Sequence, residues 1–442
     1  MNLRTIAETS ELLKQKQISP VELTRECLQT IERLNPSLNA FITITAASAL
    51  AEASQAEKEI QHGNWRGPLH GIPIGLKDLI DTAGVRTTAG SAVFLDRVPN
   101  EDAEVVKRLK AAGAVLIGKH NLHEFAYGGS SLISHFGPVR NPVTPEFVAG
   151  GSSGGSAAAI ATGMCYGAIG TDTAGSIREP AALCGVVGLK PSYGLVSVSG
   201  IIPLSVSLDH AGPIARAVED AAILLDALAG NAKANNYQQS LGQTFRKLIV
   251  GLPRKLFFDD LDGEVASAVE RAIDGFRGRD CSVCEVDLPV SADRTLQAAE
   301  AYAYHSERVG TSSQLYDPET LRRIRSGEGI TQDQYHQAQQ NLLKARAEIA
   351  EQFRALDVVV MPTTPVPAPR ISDLMKDRAL LRPTELLLLR NTRPANVWGL
   401  PAISVPCGFT SQGLPIGLQI VGPPSGDAIV LRAAYTFEQG RY

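Results

Sequence analysis

Between Gly150 and Pro180 the sequence reads GGSSGGSAAAIATGMCYGAIGTDTAGSIREP, two Gly- and Ser-rich loops around a run of small residues. Ser153 to Thr162 has the make-up of a ten-residue helix, roughly 15 Å long at ~1.5 Å per residue. Tyr166 to Thr171 reads as a returning strand of roughly 20 Å at ~3.3 Å per residue. A chain that doubles back at Gly163 therefore brings Ser152, at the helix start, beside Ser176, just past the strand end. Glycine permits the sharp turns this needs, and Thr173 to Ser176 can then aim main-chain N–H groups at a developing oxyanion. A glycine-rich anion site without chemistry fits the same residues.

Lys77, in GIPIGLKDL, ends an apolar strand, where desolvation lowers the pKa of an ammonium. An ordinary lysine, near pKa ~10.4, is neutral in only about one molecule in a thousand at pH 7.4 and cannot act as a base. Lowering it by ~3 units costs ~4 kcal/mol, within the range of buried lysines, and makes a Ser-Ser-Lys relay feasible. The plainer alternative is a snorkelling lysine paired with adjacent Asp78.

Other patterns imitate active sites. GAVLIGKH (113–120) lacks the Ser or Thr that a P-loop places after its lysine, and reads as a strand ending. GSSGG (151–155) fits a nucleophile elbow around Ser153, but Pro-interrupted loop precedes it where an elbow needs a strand. Ser207, Asp209 and His210 crowd a triad into four residues, whereas triads assemble from separate segments, so chance composition explains them. His120 and His123 sit three apart, not four, and read as ordinary polar residues. Cys281 and Cys284 have no second pair to complete a zinc site, and CSVCEVDL reads as a half-buried strand.

The elements that must position these groups read as α/β. Two amphipathic helices fill the first forty residues, the second starting at Ser19, Pro20 and Glu22 as N-cap, first-turn proline and capping-box glutamate. From Gly71, short apolar runs alternate with helical stretches such as Glu101 to Ala112, as in a sheet covered by helices on both faces. Residues 290 to 355 turn polar and helical, an insertion over the sheet, before DVVVMPT (357–363) returns as a buried strand. Residues 402 to 421 read as a hairpin around Thr410 to Gly413. PTTPVPAPR (362–370) is the best linker, but strands flank it, so residues 1–442 are expected to form a single interleaved domain.

The 442 residues, 44% hydrophobic and 20% charged, exclude a disordered or fibrous chain. With a net charge of -4 and no long run of like charge, direct nucleic-acid binding is not expected. Met1 to Gln17 lacks a signal-peptide core, and Ala157 to Gly170, the least charged stretch, is shorter than the ~20 residues a membrane helix needs. A cytoplasmic protein away from membranes is expected, its six scattered cysteines free thiols.

GGSSGGSAAA, GTDTAGSIREP and GIPIGLKDLIDTAG together resemble the amidase signature family. The likeness continues through GLKPSYG (188–194), SLDHAGPIAR (207–216), GLPAISVPCGF and GLPIGLQIVGPP, and is weakest from 290 to 390. It implies a central twisted mixed β-sheet between α-helical layers, and no metal or cofactor. It implies Ser176 as acylated nucleophile, Ser152 as bridging serine after a cis peptide bond from Gly151, and Lys77 as base. By the same matching Thr173, Ala174, Gly175 and Ser176 supply the oxyanion-hole backbone, with Ser153, Asp172 and Arg178 in support and Tyr127 and Phe136 bordering the substrate pocket. Ala174 departs from the family, most of which has glycine there, and is tolerable if its φ is negative.

The family includes the glutaminase components of tRNA-dependent amidotransferases, known as A-type subunits, along with small-amide and aryl amidases, urea-like amide hydrolases and lipid amidases. The A-type subunits resemble one another in an Asp about seven residues before an Asn-x-x-Gly-Leu-Pro motif, where it meets the substrate ammonium. Here that motif starts at Asn396, and Leu389 occupies the matching place. An aliphatic chain cannot balance an ammonium. The expectation is therefore a hydrolase of small or aryl (or urea-like) amides. The glutaminase component of an amidotransferase complex is the alternative, and a homodimer is left open.

Overall fold

The apolar runs become strands of one sheet because each is flanked by amphipathic helices that need a surface to cover. The computed structural model describes residues 3–230, 236–243, 248–277 and 281–440. Its strands are β1 (Phe41–Ile44), β2 (Pro73–Lys77), β3 (Val115–His120), β4 (Gly167–Asp172), β5 (Val187–Lys190), β6 (His210–Ala215), β7 (Leu248–Leu252), β8 (Cys281–Glu285), β9 (Val358–Pro362), β10 (Ala402–Phe409) and β11 (Pro415–Val421). They form one 11-stranded sheet in the order β1-β3-β2-β4-β6-β5-β10-β11-β9-β7-β8. β2 runs parallel to β3 and β4, and β7 to β8 and β9, while the other neighbours are antiparallel, so the sheet is mixed.

Alternating side chains divide the core between two faces. On β3, Leu116 packs with Val105 and Leu109 of helix Glu104–Ala111 and with Ile6 and Leu224. Its neighbours Val115 and Ile117 pack on the other face with Ile31, Ala53 and the small residues Ala157 to Ile160. Residues 295–352 carry the helices Thr295–Ser312, Pro318–Arg325 and Gln332–Gln352. From these, Ala301, Val309 and Ile324 pack against Leu79, Phe125 and Tyr127, over the loops that follow β2 and β3.

Local departures from expectation have identifiable causes. Ser19 caps helix Pro20–Leu38 by accepting from Val21 N and Glu22 N, but its own hydroxyl donates to Glu57, and no reciprocal Glu22 bond forms among the described residues. The helix expected from Glu101 starts at Glu104, because Ala103 is held extended by a bond from its N–H to Asp81 O, 2.8 Å. The 402–421 hairpin is present, with a bulge between Pro406 and Gly408.

Candidate active site

β2 is buried along its whole length between β3 and β4 and carries Lys77, its last residue, into the interior. Lys77 Nζ lies 2.6 Å from Ser152 Oγ and 2.8 Å from Thr171 Oγ1. The Asp78 partnership allowed by the sequence is not made. Asp78 accepts from Thr88 N (2.8 Å) and Thr88 Oγ1 (2.5 Å) and lies 3.4 Å from Lys119 Nζ. Burial lowers the Lys77 ammonium to about 7, against the more distant charges of Asp172 and Asp209, which pull it up.

The chain does double back. Helix Gly154–Ala161 ends before Gly163, which turns at φ +73°, and β4 returns to Asp172. The helix lies so close to the neighbouring loops that a Cβ on Gly155 would stand 2.3 Å from Asn121 O and 2.5 Å from Ala40 O. Ser153 ties the two Gly- and Ser-rich loops together: its N–H donates to Ser176 O (3.2 Å) and its Oγ to Thr171 O (3.2 Å). The Gly151–Ser152 peptide bond is cis. Ser152 O accepts from His123 N (3.2 Å) and Ser131 Oγ (3.3 Å), and Gly151 N donates to Glu179 Oε2 (2.6 Å). Ser176 is 4% exposed, and its hydroxyl makes no hydrogen bond among the described residues.

A buried ionic knot holds the Ser176 loop. Asp172 accepts from Gly175 N (2.8 Å), Ile177 N (3.2 Å), Arg178 Nε (3.0 Å), Arg178 Nη2 (2.9 Å) and Asn396 Nδ2 (2.8 Å). Burial alone would raise the Asp172 carboxyl, but the Arg178 guanidinium, Lys190 and Asn396 hold it well below the usual carboxylate range. Arg178 also donates to Thr392 O (2.8 Å), Gln419 Oε1 (2.6 Å) and Asn396 Oδ1 (2.7 Å). Asp172→Asn breaks this buried pair and is expected to cost about 3–5 kcal/mol of unfolding free energy, read as a lower urea midpoint.

Of the four N–H groups proposed for an oxyanion hole, that of Gly175 is spent on Asp172. Those of Thr173, Ala174 and Ser176 carry no hydrogen bond among the described residues. Gly175 has φ +135°, and a Cβ there would stand 2.0 Å from Thr392 Oγ1, so only glycine fits. Ala174 is not among the residues with positive φ, and its carbonyl accepts from Thr392 Oγ1 at 2.7 Å.

The site also includes residues whose sequence context gave no such role. Asp209 Oδ1 accepts from Thr173 Oγ1 (2.5 Å), and burial pushes its carboxyl up to about 6 against the bonds from Thr173, Ser205 and Leu204. His210 Nδ1 contacts Asp172 O (3.2 Å) and Leu208 O (2.7 Å). Ser207, Asp209 and His210 form no triad: Ser207 turns away to Glu300, while Asp209 and His210 contact Thr173 and the Asp172 carbonyl. His123, expected to be an ordinary polar residue, is fully buried 3.4 Å from Glu385. Thr171 and Gln419 reach the site from β4 and β11, where strand register places them, and Asn396 from the short helix Arg393–Val397.

Shape, spacing and polar network together invite comparison with known proteins. The family model described as Amidase matches residues 22–431. This chain belongs to the amidase family. Among its relatives, the glutamyl-tRNA(Gln) amidotransferase A-type subunit from Geobacter sp. (strain M21) is 39% identical, over 98% of this chain and 96% of its own length. A crystal structure described as an amidase superposes with TM-score 0.89 at 33% identity, over 99% of both chains. The glutamyl-tRNA(Gln) amidotransferase A-type subunit from Thermotoga maritima superposes with TM-score 0.76 at 34% identity, over 97% of this chain and 93% of its own. Among the described residues of this amidase-family chain, no helix is long and apolar enough to cross a membrane.

The two pocket aromatics diverge within this amidase-family fold. Tyr127 is buried at 4% exposure, its carbonyl accepting from Arg323 Nη1 at 2.5 Å. Phe136 is half-buried: its carbonyl accepts from Asn39 Nδ2 (2.8 Å), and Arg86 lies 5.7 Å from its ring. None of its bonds or ring contacts among the described residues reaches Lys77, Ser152 or Ser176. Leu389 is close in: its side chain stands 3.0 Å from a Cβ built on Gly175 and 3.1 Å from one on Gly129.

Proposed function

We propose that the protein cleaves the C–N bond of an amide through an acyl-enzyme on Ser176. Neutral Lys77 accepts the Ser152 proton as Ser152 accepts that of Ser176, whose oxygen attacks the amide carbonyl. The oxyanion that forms faces the unspent N–H groups of the 173–176 loop. Return of the proton through Ser152 to the amide nitrogen lets the C–N bond break, and water then hydrolyses the ester by the same relay. The observation that carries this reading is the 2.6 Å contact between Lys77 Nζ and Ser152 Oγ, with no carboxylate paired to that amine among the described residues. We place the activity in the cytoplasm, on a small-molecule amide.

Two identities of the amide share this chemistry. The relatives' names favour the amidotransferase reading, in which glutamine is the amide and a partner protein receives the ammonia; they support it better than a stand-alone amidase. Leu389, in an aliphatic wall where an ammonium would need a carboxylate, favours a small, aryl or urea-like amide instead. Glutaminase activity that rises on adding partner proteins and transfer RNA decides for the first. Robust hydrolysis of small amides by the lone chain, without glutaminase activity, decides for the second.

Incubation with a fluorophosphonate followed by digestion and mass spectrometry is expected to give one adduct, on the peptide holding Ser176. An adduct on another serine, or none, contradicts the assignment.

A further inference from the structure

The sheet ends where the Ser176 loop begins. In the β4–β6 ladder the last pair is Asp172 with His210, so Thr173 and Asp209 are the next two residues to face each other. Backbone pairing gives way there to a side-chain bond, in which Thr173 Oγ1 donates to Asp209 Oδ1 at 2.5 Å. Each other residue of the loop has a different holder. Ala174 O accepts from Thr392 Oγ1 (2.7 Å), Gly175 N donates to Asp172 Oδ1 (2.8 Å), and Ser176 O accepts from Ser153 N (3.2 Å). Asp209 is itself fixed: its Oδ2 accepts from Leu204 N (2.9 Å) and Ser205 N (3.0 Å), and its N–H donates to Ser205 O (2.8 Å). With three donors on its two oxygens, the carboxylate is occupied as an anchor and not as a base. Glu300, from the helix Thr295–Ser312, locks the same turn by accepting from Ser205 Oγ, Ser207 N (3.1 Å), Ser207 Oγ (2.5 Å) and Tyr335 OH (3.1 Å). The anchor stands beside the relay. Thr173 and Asp209 line one cavity with Thr171, which is the second partner of Lys77 Nζ at 2.8 Å.

We infer that Asp209 is a positioning residue for the oxyanion hole: it fixes the Thr173 hydroxyl so that the free N–H groups of the 173–176 loop converge on the reacting oxygen, and the helical insertion holds Asp209 in place through Glu300. The inference rests on the reading of Ser176 as the acylated residue. Donors stabilise a developing oxyanion only when they need not reorient as it forms, so losing the anchor falls on the covalent step and not on binding.

The test uses the full chain and a fluorophosphonate, whose phosphoryl oxygen takes the oxyanion's place without any amide having to be identified. Thr173→Val removes the hydroxyl at nearly constant volume and is expected to lower the maximal rate of Ser176 phosphonylation about 30-fold, while the half-saturating concentration moves less than ~3-fold. Thr173→Ser restores a hydroxyl and is expected to recover most of that loss. Asp209→Asn, which sets an amide against either Thr173 or the N–H groups of Leu204 and Ser205, is expected to slow the step by about 10-fold or more. Both changes act through one bond, so the double variant should stay within ~3-fold of the slower single variant. Losses that multiply, Thr173→Ser as slow as Thr173→Val, or an effect on the half-saturating concentration alone overturn the inference. If Asp209→Asn does not fold, the comparison of valine with serine at position 173 decides by itself. A labelled wild type with Thr173→Val reacting within ~3-fold of it sinks only the anchor. A wild type left unlabelled at Ser176 sinks the underlying chemistry and the anchor together.

Discussion

Ser176→Ala is expected to lower kcat/KM for any accepted amide by at least ~10⁴-fold, to the background set by binding and the oxyanion N–H groups. The fold should survive, because the Ser176 hydroxyl holds no hydrogen bond among the described residues and its loss orphans no buried partner. An unchanged urea midpoint beside lost turnover separates chemistry from stability. Turnover retained within ~10-fold would mean that another residue carries the acyl group.

Lys77→Met is expected to lower kcat/KM by about 10³–10⁴-fold, since Ser152 loses its amine partner and general-base assistance is worth that much or slightly less. Its effect on stability has the opposite character. Unfolded Lys77 takes up a proton below its ordinary value of 10.5, folded Lys77 only below about 7. The unfolded state therefore binds more protons between those values, and wild-type stability rises with pH across that window. The burial penalty present at low pH, about 5 kcal/mol for a shift of this size, has gone once pH exceeds the unfolded value. Lys77→Met lacks this rise. Urea titrations at a series of pH values should show the two proteins converging from acid toward alkaline pH, less the cost of leaving Ser152 and Thr171 unpartnered. Parallel curves would contradict a desolvated Lys77.

Most of the frame was legible because it depends on local spacing. A strand ending in Lys77, a short helix returning as β4, and glycines at the turns can be read along the chain. The same holds for the alternation that sends Val115 and Leu116 to opposite faces. What stayed hidden depends on pairing over long separations. Asp209 reaches Thr173 only because β6 lies antiparallel to β4, with His210 opposite Asp172. Asn396 and Gln419 meet Arg178 only because β10 and β11 are inserted between β5 and β9. The Phe136 loop is fixed by Asn39, which donates to both the Phe136 and Pro138 carbonyls across a long sequence separation. Leu389 was legible as a missing carboxylate.

The central claim is that a buried amine gives up its proton near neutrality and passes the demand through Ser152 to Ser176. It is tested most directly by the pH dependence of Ser176 phosphonylation in the wild type and in Lys77→Met. The account predicts a wild-type rate that climbs with pH and is half-maximal near 7, the value to which burial lowers Lys77. The variant should be slow and flat over the same range. A wild-type midpoint near that of an ordinary lysine, or the same climb in Lys77→Met, would contradict it.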